Sequence, residues 1–327
     1  MITIGHGAGG RMTRRLIEDH FLPHFNNPVL SELTDAAVLG DIAITTDAYV
    51  VTPRFFPGGD LGRLAVSGTV NDLAMAGATP LGLTASFILE EGLPLEELDR
   101  IVASMSETAK EAGVIIVTGD TKVVPRGACD GMFITTSGVG HVHPEFAPSP
   151  KQIVEGDAVI LSGTLADHGT AVMAARQKLS IAGDLRSDTA PIADLVFALR
   201  DAGIQVHALR DPTRGGVAES LNEMAEAARA TVVLEENRLP IRPAVRALSE
   251  LLGIDPLHVA NEGKLLALVP GDQADAALTA LRGRPLGREA ACIGTVEAGK
   301  PRLLLTTALG TRRIIRLPEG EILPRIC

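Results

Sequence analysis

Aromatic residues and cysteines are scarce in this chain of 327 residues, which has no tryptophan, one tyrosine and three cysteines. So few aromatic rings argue against a platform on which nucleic-acid bases stack. A formal net charge of −10 further opposes binding to any polyanion. The cysteines, Cys129, Cys292 and Cys327, are odd in number and far apart without CxxC spacing, which excludes a disulfide framework or a cysteine zinc site. We therefore expect no nucleic-acid partner.

Long apolar runs are also missing. None approaches the ~20 residues that a membrane-spanning helix needs, and the first ten residues lack the pattern of a signal peptide. We therefore expect a cytoplasmic protein without a membrane partner. Hydrophobic residues make up 46% of the chain and charged residues 21%, which is enough apolar surface for packed cores. The length favours two domains over one.

Strand and helix patterns alternate in both halves of the chain. In the first half they predict strands at 41–51, 84–89, 114–117 and 132–139 and helices at 61–77 and 94–113. In the second half they predict strands at 158–161, 231–234, 265–269 and 302–306 and helices at 190–202, 217–230 and 274–282. The fold class is therefore mixed α/β (α+β). Because prolines cluster between the halves, we predict a first domain at 1–142, a linker at 143–151, a second domain at 152–317 and a flexible tail at 318–327.

Four aspartates, Asp35, Asp47, Asp72 and Asp120, fall at or near predicted strand ends and turns. Carboxylates that converge on one site repel each other, so a shared function requires a hard cation such as Mg²⁺ between them. The alternative is that aspartate is simply common in turns and helix caps. The segment 118–122 favours the metal, because its glycine, carboxylate, hydroxyl and ammonium follow a predicted strand and suit a Mg²⁺-bound triphosphate.

Glycines precede two predicted helices, at 57–60 and at 211–216. The free N–H groups and the dipole of such a helix end attract anions, and Arg214 adds a bidentate phosphate donor to the second. The second segment is the stronger candidate, although an ordinary capped helix with Asp211 as a turn former explains it equally well. The segment 5–10 matches GxGxxG but lacks a buried strand before it, which favours a flexible flap and leaves closure over phosphate open.

Two further features carry reactive groups. Glu262 and Lys264 lie beside an apolar strand, as a base and its tuning partner would, although a charged turn has the same pattern. Cys327 follows Pro324, Arg325 and Ile326 at the end of the sequence. This thiol either ends an inert tail or carries a covalent group, and ten extended residues span ~35 Å.

Several of these motifs together resemble the HypE family of hydrogenase maturation factors, in the PurM-like or aminoimidazole ribonucleotide synthetase superfamily. The resemblance spans the chain and is carried by TDAYVV, FFPGGD, GTVNDLA, ILEEG, GDTKVV, DPTRGG, ANEGK and the final PRIC. The combination of GDTKVV with PRIC separates this family from relatives that make selenophosphate, thiamine diphosphate or purine intermediates.

The resemblance implies an ATP-dependent carbamoyl dehydratase that acts on its own tail. HypF would place a carbamoyl group on Cys327, and the enzyme would convert it to a thiocyanate. The cyanide would then pass to iron held by HypC and HypD, for the Fe(CN)2CO centre of NiFe-hydrogenase. The chain would form a homodimer in which the N-terminal sheets close an intersubunit β-barrel.

On this hypothesis each motif residue has a role. The Mg²⁺ ligands are Asp35, Asp47, Asp72 and Asp120. The ATP-binding residues are Asn71, Gly119, Thr121, Lys122, Asp211, Thr213, Arg214, Gly215 and Gly216. The catalytic residues are Cys327, Glu262 as the base and Lys122, which steadies phosphate charge.

Two alternatives remain. One is an ATP-gated dimeric module that presents its tail to a partner without chemistry. The other is a phosphoryl-transfer enzyme of the selenophosphate synthetase type, which would need a reactive cysteine near the N-terminal glycines. The first cysteine here is Cys129, which argues against the second alternative.

Overall fold

Two β-sheets, each with helices packed against it, form the body of the protein. The computed structural model describes residues 1–25, 27–179 and 183–317. The predicted tail at 318–327, with Cys327, lies outside the described residues. Among the helices described, none combines the length and the apolar character needed to cross a membrane. The predicted mixed α/β class is confirmed.

The first sheet has five strands in the order β1-β2-β7-β5-β6. Its pairs are antiparallel except for β5 and β6, which helix α4 joins in a parallel crossover. The elements of this half are α1 (Gly10–Leu16), α2 (Leu22–Phe25), β1 (Ala37–Leu39), β2 (Ile42–Tyr49), β3 (Phe55–Phe56), β4 (Gly59–Asp60), α3 (Leu61–Met75), β5 (Ala78–Glu90), α4 (Leu95–Ala112), β6 (Ile115–Val124) and β7 (Met132–Val142). Strands β3 and β4 form a separate small ribbon.

Helix α3 packs between the first sheet and the second domain, and nearly all of it is buried. Asp60 caps its first turn, since the carboxylate Oδ1 accepts from the N–H groups of Gly62 at 2.8 Å and Arg63 at 2.9 Å. The cap and a run of small residues explain why the sequence predicts this helix well. Its C-terminal turns carry Asn71 and Asp72, so this packing fixes both at the junction between the domains.

Strand β6 is longer than the sequence predicts. We expected it to end at Val117, but after a bulge it stays paired with β5 as far as Val124. Gly119 permits this pairing, because a Cβ there would lie 1.9 Å from the carbonyl oxygen of Ala85. Polar residues are typical of an exposed edge strand. The polar segment 118–122 is therefore part of the strand rather than a loop after it.

The second sheet has seven strands in the order β14-β13-β10-β12-β8-β11-β9. The elements of this half are β8 (Asp157–Leu161), α5 (Asp167–Arg176), α6 (Ala193–Asp201), β9 (Ala208–Arg210), α7 (Gly216–Ala228), β10 (Thr231–Glu235), α8 (Pro243–Leu252), β11 (Leu266–Pro270), α9 (Ala274–Arg282), β12 (Ala291–Glu297), β13 (Arg302–Thr306) and β14 (Arg312–Ile315). The sequence did not predict α5, α8, β9, β12 or β14. Strands β9 and β14 are too short for a clear pattern, and a glycine interrupts α5 and β12. Helix α8 buries Val245 and Leu248 with helical spacing, which the sequence prediction missed.

Candidate active site

A cavity of about 220 Å³ lies at the junction between the two domains. The first domain lines it from the segment before β1, from β2 and from α3, and the second domain from the segment before α7 and from Glu262. The lining residues are Asp35, Thr45, Thr46, Asp47, Ala48, Tyr49, Gly68, Asp72, Asp211, Thr213, Arg214 and Glu262. Motifs that are far apart in the sequence therefore meet in one site.

Three carboxylates of the cavity, from Asp35, Asp72 and Asp211, form a cluster whose oxygens lie within 4.8 Å of one another. Thr45 Oγ1 donates to Asp72 Oδ2 at 2.8 Å, and Arg210 Nη1 lies 2.7 Å from Asp35 Oδ1. These contacts aim the oxygens into one small space. Clustered carboxylate oxygens are the ligands that hard divalent cations prefer, so this donor set fits Mg²⁺.

Burial and mutual repulsion both act on these acids. Burial, followed by the neighbouring carboxylates, raises the pKa of Asp72 and of Asp211 well above their usual range. Burial also raises the pKa of Asp35 to about 6, although the charge of Arg210 opposes it. Ionisation of each group is therefore less favourable than in water, and nearby positive charge would relieve this cost.

Asp47 lies on another wall of the cavity and contacts the only tyrosine of the chain. The hydroxyl of Tyr49 donates to Asp47 Oδ2 at 3.1 Å. Helix α3 approaches this ring closely at Gly68, where a Cβ would lie 2.2 Å from the tyrosine oxygen. Burial raises the pKa of Asp47, and the charge of Arg214 opposes it. Sequence reasoning missed Tyr49, which only its position in TDAYVV could have indicated.

The start of helix α7 supplies the basic side of the cavity. Thr213 and Arg214 line it, and the helix begins at Gly216 with no side-chain cap on its first N–H groups. Gly215 and Gly216 both have positive φ, at 71° and 61°, and a Cβ on Gly216 would lie 2.6 Å from the Val259 carbonyl oxygen. The turn therefore requires glycine. Gly216 N donates to the Thr213 carbonyl at 2.9 Å, and the dipole of the helix start favours an anion.

Glu262 reaches the cavity from the second domain with its side chain buried. Its Oε1 has no hydrogen-bond partner among the described residues. Burial, followed by the charges of Asp211 and Asp188, raises the pKa of this carboxyl well above its usual range. Asn261 fixes the loop, since its Oδ1 accepts from Ala166 N at 2.7 Å and its Nδ2 donates to the Pro212 carbonyl at 3.0 Å. A held, buried carboxyl of this kind suits proton transfer.

Several predicted residues do not line this cavity in the described chain. Gly119, Asp120, Thr121 and Lys122 are exposed on edge strand β6, where Lys122 Nζ lies 3.0 Å from Asp120 Oδ2. The hydrogen bond from Lys122 lowers the pKa of Asp120. Asn71 is buried with its amide bound to backbone groups of the second domain. The roles assigned to these residues, and to Cys327, stay predictions.

Comparison with known proteins identifies the family. The N-terminal domain of AIR synthase related proteins matches residues 33–142, and the C-terminal domain of the same family matches residues 154–305. The chain belongs to the AIR synthase related family. Within this family, the chain is 50% identical over 332 residues to the carbamoyl dehydratase HypE of Cupriavidus necator, covering all of this chain and 95% of the relative. The predicted HypE resemblance is confirmed.

Two solved HypE structures resemble the chain closely. A HypE in complex with ATP is 49% identical, with a TM-score of 0.85 and coverage of 98% of both chains. A HypE in a HypE–HypF complex is 47% identical, with a TM-score of 0.90, covering 93% of this chain and 99% of that one. The predicted PurM-like fold is confirmed by these HypE relatives.

Proposed function

We propose that this chain uses ATP to dehydrate an S-carbamoyl group on Cys327 to a thiocyanate. The observation that carries the proposal is the cavity in which a carboxylate cluster, Arg214 and the buried acid Glu262 come together from two domains. HypE relatives that span the whole chain have the name carbamoyl dehydratase, and one such HypE is known in complex with ATP.

The chemistry explains why both halves of the cavity are needed. A carbonyl oxygen is a poor leaving group, so the γ-phosphoryl of ATP is first transferred to it while the amide nitrogen loses one proton. The C–O bond of the resulting imidoyl phosphate then breaks, phosphate leaves, and loss of the second N–H proton completes the C≡N bond. Arg214 and the start of helix α7, at Gly215 and Gly216, would bind the phosphoryl group.

Asp35, Asp72 and Asp211, with Asp47 nearby, would hold Mg²⁺. The ion would supply positive charge that neutralises the phosphate oxygens during transfer. Glu262 would remove the proton from nitrogen, because a carboxyl with a raised pKa is a stronger base than an ordinary carboxylate. A docked tail that excludes water would limit hydrolysis of the imidoyl phosphate.

We also propose a homodimer built on the first sheet. The sheet face opposite α3 and α4 exposes apolar side chains, including Ile44, Leu81 and Val139, and edge strand β6 exposes Ile115 and Val117. A second copy would cover these residues and close the two sheets into a barrel. HypF as the carbamoyl donor and HypC–HypD as the cyanide acceptor complete the proposal, and a HypE–HypF complex supports the first partner.

The decisive experiment follows the mass of the C-terminal peptide. After carbamoylation by HypF, addition of ATP and Mg²⁺ should remove the mass of one water from the peptide that contains Cys327. Cys327→Ala is the matched control, which should bind ATP and give no product. A carbamoylated peptide whose mass never changes with ATP would refute dehydration and favour the ATP-gated module.

A further inference from the structure

A short segment, residues 187–192, which we call the strap, contacts elements from both halves of the cavity. It leads into α6 and lies between helix α3 of the first domain and the Glu262 loop of the second. Neither the cavity nor the motifs contain it. Its contacts on both sides suggest a role in the geometry of the site.

Contacts on one side bind the strap to the first domain. The amide of Asn71 donates from Nδ2 to the Ala190 carbonyl at 3.1 Å and accepts at Oδ1 from Ile192 N at 2.8 Å. Arg63 Nε donates to the Thr189 carbonyl at 2.7 Å. Asn71 is 1% exposed, and both its donor and its acceptor are used for the strap. Since Asp72 follows it on α3, the strap is fixed relative to the carboxylate cluster.

Contacts on the other side bind the strap to the loop of the candidate base. The carboxylate of Asp188 accepts from Glu262 N at 3.3 Å and from Gly263 N at 3.1 Å, and Ala190 N donates to the Glu262 carbonyl at 3.2 Å. A Cβ on Gly263 would lie 1.8 Å from the Asp188 carbonyl oxygen, so the two backbones touch. The strap therefore holds the Glu262 loop through the backbone N–H and carbonyl groups of that loop.

Asp188 stays charged in this position. Its side chain is only 3% exposed, and Lys264 Nζ lies 3.2 Å from Oδ2. Burial favours the protonated form, but Lys264 and His168 outweigh it and hold the pKa of Asp188 below its usual range. Hydrogen bonds from N–H groups to a buried carboxylate are stronger and more directional than neutral ones. The hydrogen bonds from the Glu262 loop to Asp188 are therefore charge-assisted.

We propose that Asn71 and Asp188 are positioning residues, which set the distance between the carboxylate cluster and Glu262 through the strap. The proposal rests on the proposed function, and it gives Asn71 a role other than contact with ATP. A reacting group displaced by about 1 Å can lose ~10²-fold in rate. Loss of either contact should thus affect chemistry more than nucleotide binding.

The test uses the full-length carbamoylated chain with Asn71→Ala, Asp188→Asn and the double variant. We expect each single change to lower kcat for water loss at least ~10-fold while the KM for ATP changes less than ~3-fold. Because both contacts belong to one connection, the double variant should lose far less than the product of the single effects. Arg186→Ala is the matched control, since this exposed neighbour of the strap pairs with Asp184 and should keep full kcat.

The outcomes separate this inference from the function itself. If the wild-type chain loses water but both single variants keep its kcat, or if their effects multiply, the strap does not position the site. If ATP affinity falls as much as kcat, Asn71 or Asp188 acts in binding and the inference is wrong. If the wild-type peptide never loses water, the proposed function fails instead. Should Asn71→Ala not fold, Asp188→Asn decides alone, because it keeps the size and one acceptor oxygen of the native residue.

Discussion

Two sets of similar side chains lie in opposite environments on the first domain. In the cavity, Asp72 is half-buried beside Asp35 and Thr45, and its pKa is raised by burial and then by neighbouring carboxylates. On strand β6, Asp120 lies in solvent beside Lys122, and its pKa is lowered by the hydrogen bond from that lysine. The exposed pair neutralises itself, whereas the carboxylates of the cavity repel one another.

The difference shows what residue type alone cannot tell. Both sets contain an aspartate from a motif of the family, yet only Asp120 is neutralised by a neighbouring lysine. Buried like charges cost stability in the absence of a ligand, and such costs are typical of functional sites. Exposed polar residues on an edge strand carry no such cost, so their function depends on what covers the strand.

The largest expected effect comes from Asp72→Asn. Asparagine keeps the size of the side chain but removes a charge from the cluster, so dehydration should fall on the order of 10²–10³-fold. Because the folded state raises the pKa of Asp72, ionising this residue destabilises the fold at neutral pH, and the neutral variant should gain roughly 1–3 kcal/mol in free energy of unfolding without metal. The gain should disappear as the pH falls below the ordinary aspartate range.

Urea unfolding and peptide mass together measure both effects. Asp120→Asn is the comparison, and its unfolding midpoint should equal that of the wild type because Asp120 is exposed. Equal stability changes in the two variants would remove the proposed distinction between the cavity and the strand.

A second prediction concerns whether Lys122 on strand β6 belongs to the active site of its own subunit or to that of a neighbouring copy. If Lys122 completes the site of a neighbouring copy, Lys122→Ala and Asp72→Asn are each inactive alone but complement each other in mixed dimers. Random exchange of subunits should restore about a quarter of wild-type activity, since half of the dimers are mixed and each has one intact site. The measurement is peptide mass after mixing, with unmixed variants as controls. If activity does not recover although subunits have exchanged, Lys122 either acts in the site of its own subunit or takes no part in the reaction.

Metal binding gives a third, smaller effect that depends on pH. Asp35 has a raised pKa of about 6, so its proton stabilises the folded state at low pH, and this contribution is lost as the pH rises from about 4 through about 6. Mg²⁺ competes with these protons, so it should raise the Tm more at about pH 7.5 than at about pH 5. Thermal unfolding with and without Mg²⁺ tests this, with Asp72→Asn as the control. A metal-induced shift that is independent of pH would argue against binding at the cluster.

The sequence predicted these parts of the molecule unevenly. A run of small residues and an Asp60 cap made α3 predictable, and the motifs identified Asp35, Asp72, Arg214 and Glu262, which the fold brings together. Spacing could not assign Asp211 to the carboxylate cluster rather than to phosphate, because that depends on how two domains pack. Nor could it detect the hydrogen bonds of Asn71 and Asp188, since those side chains bind backbone groups about 120 and about 75 residues away and leave no local pattern.

The smallest effect should come from the other glycine-preceded helix. Asp60 already satisfies the first N–H groups of α3, so this helix start is a structural cap and contrasts with the uncapped start of α7. Asp60→Ala should lower the free energy of unfolding by about 1 kcal/mol, and Asp60→Asn should recover most of the loss because asparagine also caps. The KM for ATP should stay at its wild-type value in both variants. A rise in that KM that asparagine does not rescue would mean that the charge of Asp60, and not its cap, matters to the site.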